Sequence, residues 1–431
     1  LVDRLGIPQP PGGMATSIEE ALEVAGRIGY PVIVRPSFVI GGLAIDFAYG
    51  PGDLAAQLAA ATVVTPDRPV RLDAYLEGLE VDVDAVCDGE RVCIPGLIEH
   101  VERAGVHSGD SVGICPPQHI SEGDQDLLVA AMRRVALELG VHGLINAQFI
   151  VREDGVYLLE VNPRASRTVP FLSKITGVPM VELATRVALG ARLADLGWPD
   201  GLLPAPPYVA VKAPVFSTAK LRGVDPSLGP GMQSTGEVIG LHRDPRVALA
   251  KALLAASLRP PVPGPEGGLA LLTVADRDKA ALGELAAALT LGGYRFAATS
   301  GTAAALRALG YEVREVARLG EVGTVERPPI EDLISDGGVD LVVNTPSPQP
   351  GPVRDAAAIR HAAVAAGVLC LTAMETAVAA ARSLDPALRD ALVEVRPLHE
   401  WVAQVDQRRP SGLEATMARE RLISGRGAPS E

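Results

Sequence analysis

The chain has 431 residues, 48% hydrophobic and 21% charged, with a formal net charge of −13 and an isoelectric point near 5.1. That length exceeds one ordinary core and asks for two or three domains. The acidic balance excludes nucleic acid as a bulk partner, but not a small anion held by a few local arginines. Neither a signal-peptide pattern nor an apolar run long enough to span a bilayer is present, so no membrane partner and a cytoplasmic location are expected. The four cysteines, Cys87, Cys93, Cys115 and Cys370, form no C-x-x-C pair. They read as buried thiols in a reducing compartment.

In chain order, "LVDRLGIPQPP" opens at Leu1 like the end of a helix already under way, which suggests a fragment truncated at its N-terminus. "IEEALEVAGRIGY" reads as an amphipathic helix and "PVIVRPS" as a strand. "LEVDVDAVCDGERVCIPGLIEHV" predicts two strands around an Asp88-Gly89 turn. "DQDLLVAAMRRVALELG" predicts a long helix closed by Gly140, and "LINAQFIVREDGVYLLEVN" a second hairpin turning at Asp154-Gly155. This first block, 1–258, is therefore α+β with antiparallel strands. The Pro/Gly-rich run "LRPPVPGPEGG" places a linker at 259–267. The second block, 268–404, alternates strand and helix ("GLALLTVAD", "KAALGELAAALTLGG", "YRFAATS", "GTAAALRALG", "VDLVVNTPS", "GVLCLTAM"), which predicts a small parallel α/β sandwich. The tail, 405–431, is polar and rich in Gly, Ser and Arg, and reads as disordered.

Chemistry concentrates at the end of the second hairpin. Gln148 lies on one strand, and Glu160 and Asn162, two apart and so on one face, lie on the next. Three oxygen-bearing side chains on one sheet face suit Mg²⁺, which completes its shell with substrate phosphates. A solvated polar face is the alternative. Arg164 and Arg167 follow at once, two forked donors suited to a planar or tetrahedral oxyanion, where surface ion pairing is the alternative for either one. Arg35 ends an apolar strand and precedes Gly41-Gly42, whose amides can approach phosphate. Glu80 starts a strand, and His107 sits in the Gly/Ser loop "AGVHSGDS". In the second block, Thr299, Ser300 and Thr302 of "ATSGT" and the run from Asn344 in "NTPS" form either a phosphate cup at a helix start or ordinary capping.

Together, "VIVRPSFVIGG", "EVDVDAVCDGE", "IEHVERAGVHSGDS", "GLINAQF", "EVNPRASRTVPFLSK" and "GVDPSLGPGMQSTGEV" make the first block resemble an ATP-grasp domain. More narrowly, nearly the whole chain except the tail resembles the C-terminal half of the carbamoyl phosphate synthetase large subunit. The fold class implied is multidomain α/β: an ATP-grasp α+β domain, N-terminally truncated, followed by a small methylglyoxal-synthase-like regulatory domain. The resemblance implies phosphorylation of carbamate by MgATP to carbamoyl phosphate. That is one step of synthesis from bicarbonate, glutamine-derived ammonia and two ATP, feeding pyrimidine and arginine biosynthesis. It assigns ATP phosphate to Arg35, with Gly41 and Gly42 in the lid loop, adenine to the stretch around Leu76, and ribose to Glu80. Gly105, Val106, His107 and Ser108 would line the nucleotide. Mg²⁺ or Mn²⁺ would sit on Gln148, Glu160 and Asn162, K⁺ near the 99–108 loop, and carbamate on Arg164 and Arg167. Lys279, Thr299, Ser300, Thr302, Asn344 and Thr345 would bind a UMP- or IMP-like effector.

The pattern departs at Leu43, where the family commonly has Arg, at Ala74, where a His is common, and at "NTPSP" and "LTAMET" in the effector block. The implied partners are the missing first half of the large subunit and the separate glutaminase subunit. A non-catalytic nucleotide-binding regulatory module, and another ATP-grasp ligase acting on a carboxylate, stand as rival readings.

Overall fold

One strand carries both the core and the site. Leu79–Asp88 alternates apolar and acidic residues, so its two faces differ completely. Val81, Val83, Ala85 and Cys87 join a core with Leu128, Met132 and Val135 of the helix Glu122–Glu138 and with Phe149 of the neighbouring strand. Glu80, Asp82 and Asp84 occupy the alternate positions and are also buried. The computed structural model describes residues 1–36, 45–61, 64–65, 67–217, 225–318, 321, 323–324, 326–346 and 352–406.

Three sheets organise these residues. A four-stranded antiparallel sheet runs Gly12–Ala15, Val70–Ala74, Val32–Pro36, Asp46–Ala48, and is backed by the helices Ile18–Ile28 and Pro51–Ala61. A nine-stranded sheet has the main order Gly155–Asn162, His142–Arg152, Leu79–Asp88, Leu97–His100, Gly113–Cys115, Val209–Val215, Gly236–His242. The hairpin at Asp154-Gly155 forms as expected. The segment expected as two strands around Asp88-Gly89 is three, because Pro95-Gly96 divides the return into Val92–Ile94 and Leu97–His100. The long helix is closed at Gly140, whose φ of 60° is left-handed.

The third sheet is wholly parallel, in the order Val313–Val316, Tyr294–Thr299, Gly268–Thr273, Leu341–Asn344, Leu369–Leu371. In a sheet of this order, ligands gather at the carboxyl ends on either side of the first strand.

The run 259–267 is held against the protein: Arg259 donates to the Ser383 carbonyl and Tyr294 Oη to the Pro261 carbonyl. One apolar cluster runs from Val211, Ala213 and Ala252 into Leu272, Leu285 and Ala380, joining the two blocks. Arg103 ties them further, 2.8 Å from Asp278 and 2.6 Å from Glu375. The last helix, Leu398–Asp406, extends two residues beyond the expected end of the second block. It returns to the first block, where Trp401 meets Tyr208 edge-on at 5.2 Å. The remainder of the expected tail, from 407, lies outside the described residues. No helix among the described residues is long and apolar enough to cross a membrane.

Candidate active site

A cavity of about 470 Å³ lies between the four-stranded sheet and the near edge of the nine-stranded one. Apolar walls come from Ile33, Phe47, Tyr75, Leu76, Val106, Ile150 and Leu159, and the polar floor from Glu80, Gln148, Glu160, Asn162 and Arg164, with Arg35 alongside. Of the residues singled out for ATP, metal or acceptor, Arg35, Leu76, Glu80, Gly105, Val106, His107, Ser108, Gln148, Glu160, Asn162 and Arg164 meet here. Gly41 and Gly42, with Leu43, lie outside the described residues.

Strand register explains the polar floor. Glu160 stands directly opposite Gln148, and Asn162 opposite Asn146. A bulge between Leu158 and Glu160 lets Leu159 also line the cavity. Gln148 in turn stands opposite Asp82 and donates Nε2 to Asp82 Oδ1 at 2.9 Å, which leaves its amide oxygen for a cation. Asn162 Nδ2 donates to Glu160 Oε1 at 2.8 Å, and its Oδ1 accepts from Arg164 Nη2 at 3.3 Å. Arg35 Nη1 lies 3.7 Å from Glu160 Oε2. Its buried Nε is 3.4 Å from Asp73 Oδ2 yet hydrogen-bonds to no described residue. One carboxylate and two amide oxygens on adjacent strands form a hard-donor set that fits a divalent cation.

The loop from Ala104 to Ser108 forms the opposite wall. Gly105 has φ of 101°, and a Cβ there would come within 2.6 Å of the Phe47 ring, so only glycine fits. Tyr75 Oη donates to the Ala104 carbonyl at 2.9 Å. His107 Nδ1 accepts from the Gly109 amide at 3.0 Å, and burial holds its imidazole below the ordinary histidine value, hence neutral at pH 7. Lys212, 1% exposed, reaches across from Val209–Val215 and donates Nζ to the Ser108 carbonyl at 2.8 Å.

Sequence reasoning singled out Glu80 but missed Asp82, Asp84 and their partner His100 beneath the site. Burial, opposed by His100, pushes the Glu80 carboxyl up to about 7. Asp82 is held below the usual range, where His100, Lys212 and Gln148 together outweigh burial. His100 Nε2 is 3.0 Å from Asp82 Oδ2, and its Nδ1 is 3.8 Å from Glu80. Burial pulls His100 down, but the two carboxylates outweigh it and raise it. The signal was available: Glu-x-Asp-x-Asp is a period-2 row of acids on a strand whose other face is Val, Val and Ala. Lys212 was similarly a single cation inside the apolar run "YVAVKAPVF".

Arg167 stands apart from the cavity lining. Its Nη1 donates to Ser234 Oγ at 2.7 Å and approaches Met232 Sδ at 3.2 Å. Asp110 fixes that segment by accepting from the Gln233 and Ser234 amides, both at 2.8 Å.

In the second block, Thr299 extends into the helix Ser300–Ala308, and Lys279 Nζ would meet a Cβ on Gly301 at 3.4 Å. Thr302, Asn344 and Thr345 are buried and engaged within the domain. Thr302 Oγ1 accepts from the Val274 amide at 3.0 Å and Thr345 Oγ1 from the Ala275 amide at 2.8 Å. Asn344 donates to Thr273 Oγ1 and accepts from Arg360 Nη1 at 2.9 Å.

A cavity of nucleotide size, roofed by a small antiparallel sheet and floored by an oxygen-donor face with an adjoining arginine, is the arrangement of an ATP-grasp domain, here followed by a methylglyoxal-synthase-like domain. The family described as "Carbamoyl-phosphate synthase L chain, ATP binding domain" matches residues 1–196, and that described as "MGS-like domain" matches 281–372. Carbamoyl phosphate synthase large chains from Thermomicrobium roseum and Clostridium perfringens are 50% and 46% identical over 88% and 87% of this chain. The chain is similar to these carbamoyl phosphate synthase large chains along most of its own length, and spans 35% of the length of each of the two. Among solved structures, the biotin carboxylase domain of Hydrogenobacter thermophilus 2-oxoglutarate carboxylase, in complex with MgADP and bicarbonate, is 21% identical. The match covers 59% of this chain and 63% of that one, with a TM-score of 0.46.

Proposed function

We propose that the first block phosphorylates carbamate with MgATP to give carbamoyl phosphate. The observation carrying this reading is the shared face of Gln148, Glu160 and Asn162 with Arg164 at its end, on the floor of a nucleotide-sized cavity. Adenine lies in the apolar part near Leu76 and Tyr75, and Glu80 takes the ribose. The 105–108 loop and Arg35 hold the phosphates, with Gly41 and Gly42 of the lid loop. Gln148, Glu160 and Asn162 hold Mg²⁺ or Mn²⁺, which when bound neutralises phosphate charge. Arg164 and Arg167 orient the acceptor carboxylate in line with the γ-phosphoryl group. Transfer moves that group from ADP oxygen to carbamate oxygen, so positioning and charge neutralisation do most of the work. K⁺ belongs beside the 99–108 loop. The buried Glu80 carboxyl, which also accepts from the Gly105 backbone, offers an oxygen donor for a monovalent cation there.

The partners in this reading are the first half of the large chain, which makes carbamate, and a glutaminase subunit that supplies ammonia; the product feeds pyrimidine and arginine biosynthesis. Lys279, Thr299 and Ser300 receive the phosphate of a UMP- or IMP-like effector, with Thr302, Asn344 and Thr345 bracing the strand ends beneath it. The test is ATP formation from MgADP and carbamoyl phosphate by the purified chain, with and without K⁺. ATP in the product supports the reading. A folded chain that binds MgADP but makes no ATP would favour a non-catalytic regulatory module.

A further inference from the structure

Arg164 and Arg167 stand on the segment between the strand Gly155–Asn162 and the helix Thr168–Thr176. The backbone along it is lightly held. Arg164 N bonds back to the Asn162 carbonyl at 2.8 Å, and Arg167, at the helix cap, makes no side-chain capping bond. What grips it from below is a buried carboxylate on another strand. Asp84, 0% exposed, accepts Ser166 Oγ on Oδ1 at 2.5 Å and Thr168 Oγ1 on Oδ2. The two hydroxyls also meet each other at 2.7 Å. Ser166 lies between the two arginines, and Thr168 directly follows the second. Asp84 stands opposite Asn146, whose side chain also bonds to it, and Asn146 Oδ1 accepts from Asn162 Nδ2 at 3.4 Å. A single buried group is thereby tied to the arginine segment and, through Asn146, to the oxygen-donor face.

We propose that Asp84 is a positioning residue that fixes the arginine segment relative to the cation-binding face, and with it the seat of the acceptor oxyanion. This rests on the reading of Arg164 and Arg167 as acceptor ligands. Asp84 has no contact with substrate in this role. Its two oxygens take the two hydroxyls that flank Arg167, so removing it frees the segment without touching the cavity wall. An amide at the same position can still pair with both hydroxyls, accepting from one and donating to the other.

The experiment compares the purified full chain with Asp84→Ala and Asp84→Asn, by hydrogen exchange and by ATP formation from MgADP and carbamoyl phosphate. In Asp84→Ala, amide protection falls at Arg164 and in the first hydrogen-bonded turn of the helix Thr168–Thr176. KM for carbamoyl phosphate rises about tenfold or more, as expected when a reacting group is misplaced, while KM for MgADP stays within about twofold. Asp84→Asn restores most of both. Unchanged protection in Asp84→Ala, or an equal rise in both KM values, overturns the proposal. Should Asp84→Ala fail to fold, the double variant Ser166→Ala/Thr168→Val removes the same bonds from the other side; retained protection and an unchanged KM there overturn it as well. If the unaltered chain forms no ATP, the reaction assignment fails, and the exchange measurement still decides whether Asp84 holds the segment.

Discussion

The two candidate nucleotide sites use the same residue types in opposite ways. In the first block, Glu160, Asn162 and Arg164 bond to one another, Gln148 bonds down to Asp82, and all four face a cavity above a lower layer of buried Asp82, Asp84 and His100. In the second block, Thr302, Asn344 and Thr345 are themselves the lower layer, bonded to the Val274 amide, to Thr273 and Arg360, and to the Ala275 amide. That leaves Lys279, Thr299 and Ser300 at the helix start to meet an anion. A polar motif at the end of a strand can thus be a ligand set or a brace, and its hydrogen-bond partners decide which.

The sharpest break of this comparison is at Arg164. Its truncation to Ala is expected to lower kcat/KM for carbamoyl phosphate by about a hundredfold or more, as loss of a charged oxyanion donor does, with the melting temperature unchanged. A loss smaller than tenfold would move Arg164 from ligand to brace. Thr345→Val inverts the expectation. It strands the buried Ala275 amide at a cost of about 1–3 kcal/mol, read as a lower urea midpoint, while turnover in the first block at temperatures below the transition is preserved. Lys279→Ala completes the contrast. Its partner Asp276 is almost fully exposed, so stability should hold, while affinity for a nucleoside monophosphate falls roughly tenfold. Equal losses of stability in Thr345→Val and Lys279→Ala would erase the distinction.

The smallest effect is in pH. Burial holds His107 below its ordinary value, so the folded chain favours the neutral ring. The stability this lends the 105–109 loop is complete above the unfolded value of about 6.5 and is lost as pH falls through the lower folded value. Protonation also removes the acceptor for the Gly109 amide. Nucleotide affinity should therefore weaken as pH falls below about 6.5, and His107→Asn should flatten that slope.

Much of the upper layer was legible because it obeys simple periods. Glu160 and Asn162 are two apart on one strand and so share a face, but the Asp154-Gly155 turn alone would set Leu159 opposite Gln148; the bulge between Leu158 and Glu160, which no local pattern announces, brings Glu160 there instead. The alternation after residue 268 gave a parallel sheet, although the edge strand Val313–Val316 went unseen in "YEVREV", which is charged and short. The lower layer was hidden for two reasons. Asp82 and Asp84 show only a period-2 row of acids and Lys212 a lone cation in an apolar run, neither of which says what they bond to, and the partners of Asp82, Asp84 and Lys212 lie 18 or more residues away on a strand, a helix and a loop. Arg167's turn toward Ser234 depends on a segment 67 positions downstream, which no local pattern encodes.

The central claim is that the Gln148–Glu160–Asn162 face supports phosphoryl transfer. It is tested most directly by ATP formation from MgADP and carbamoyl phosphate in the purified chain and in Glu160→Ala. The account expects ATP from the unaltered chain, and a loss of about a hundredfold or more in Glu160→Ala with folding intact. Undiminished ATP formation in a folded Glu160→Ala chain would contradict it.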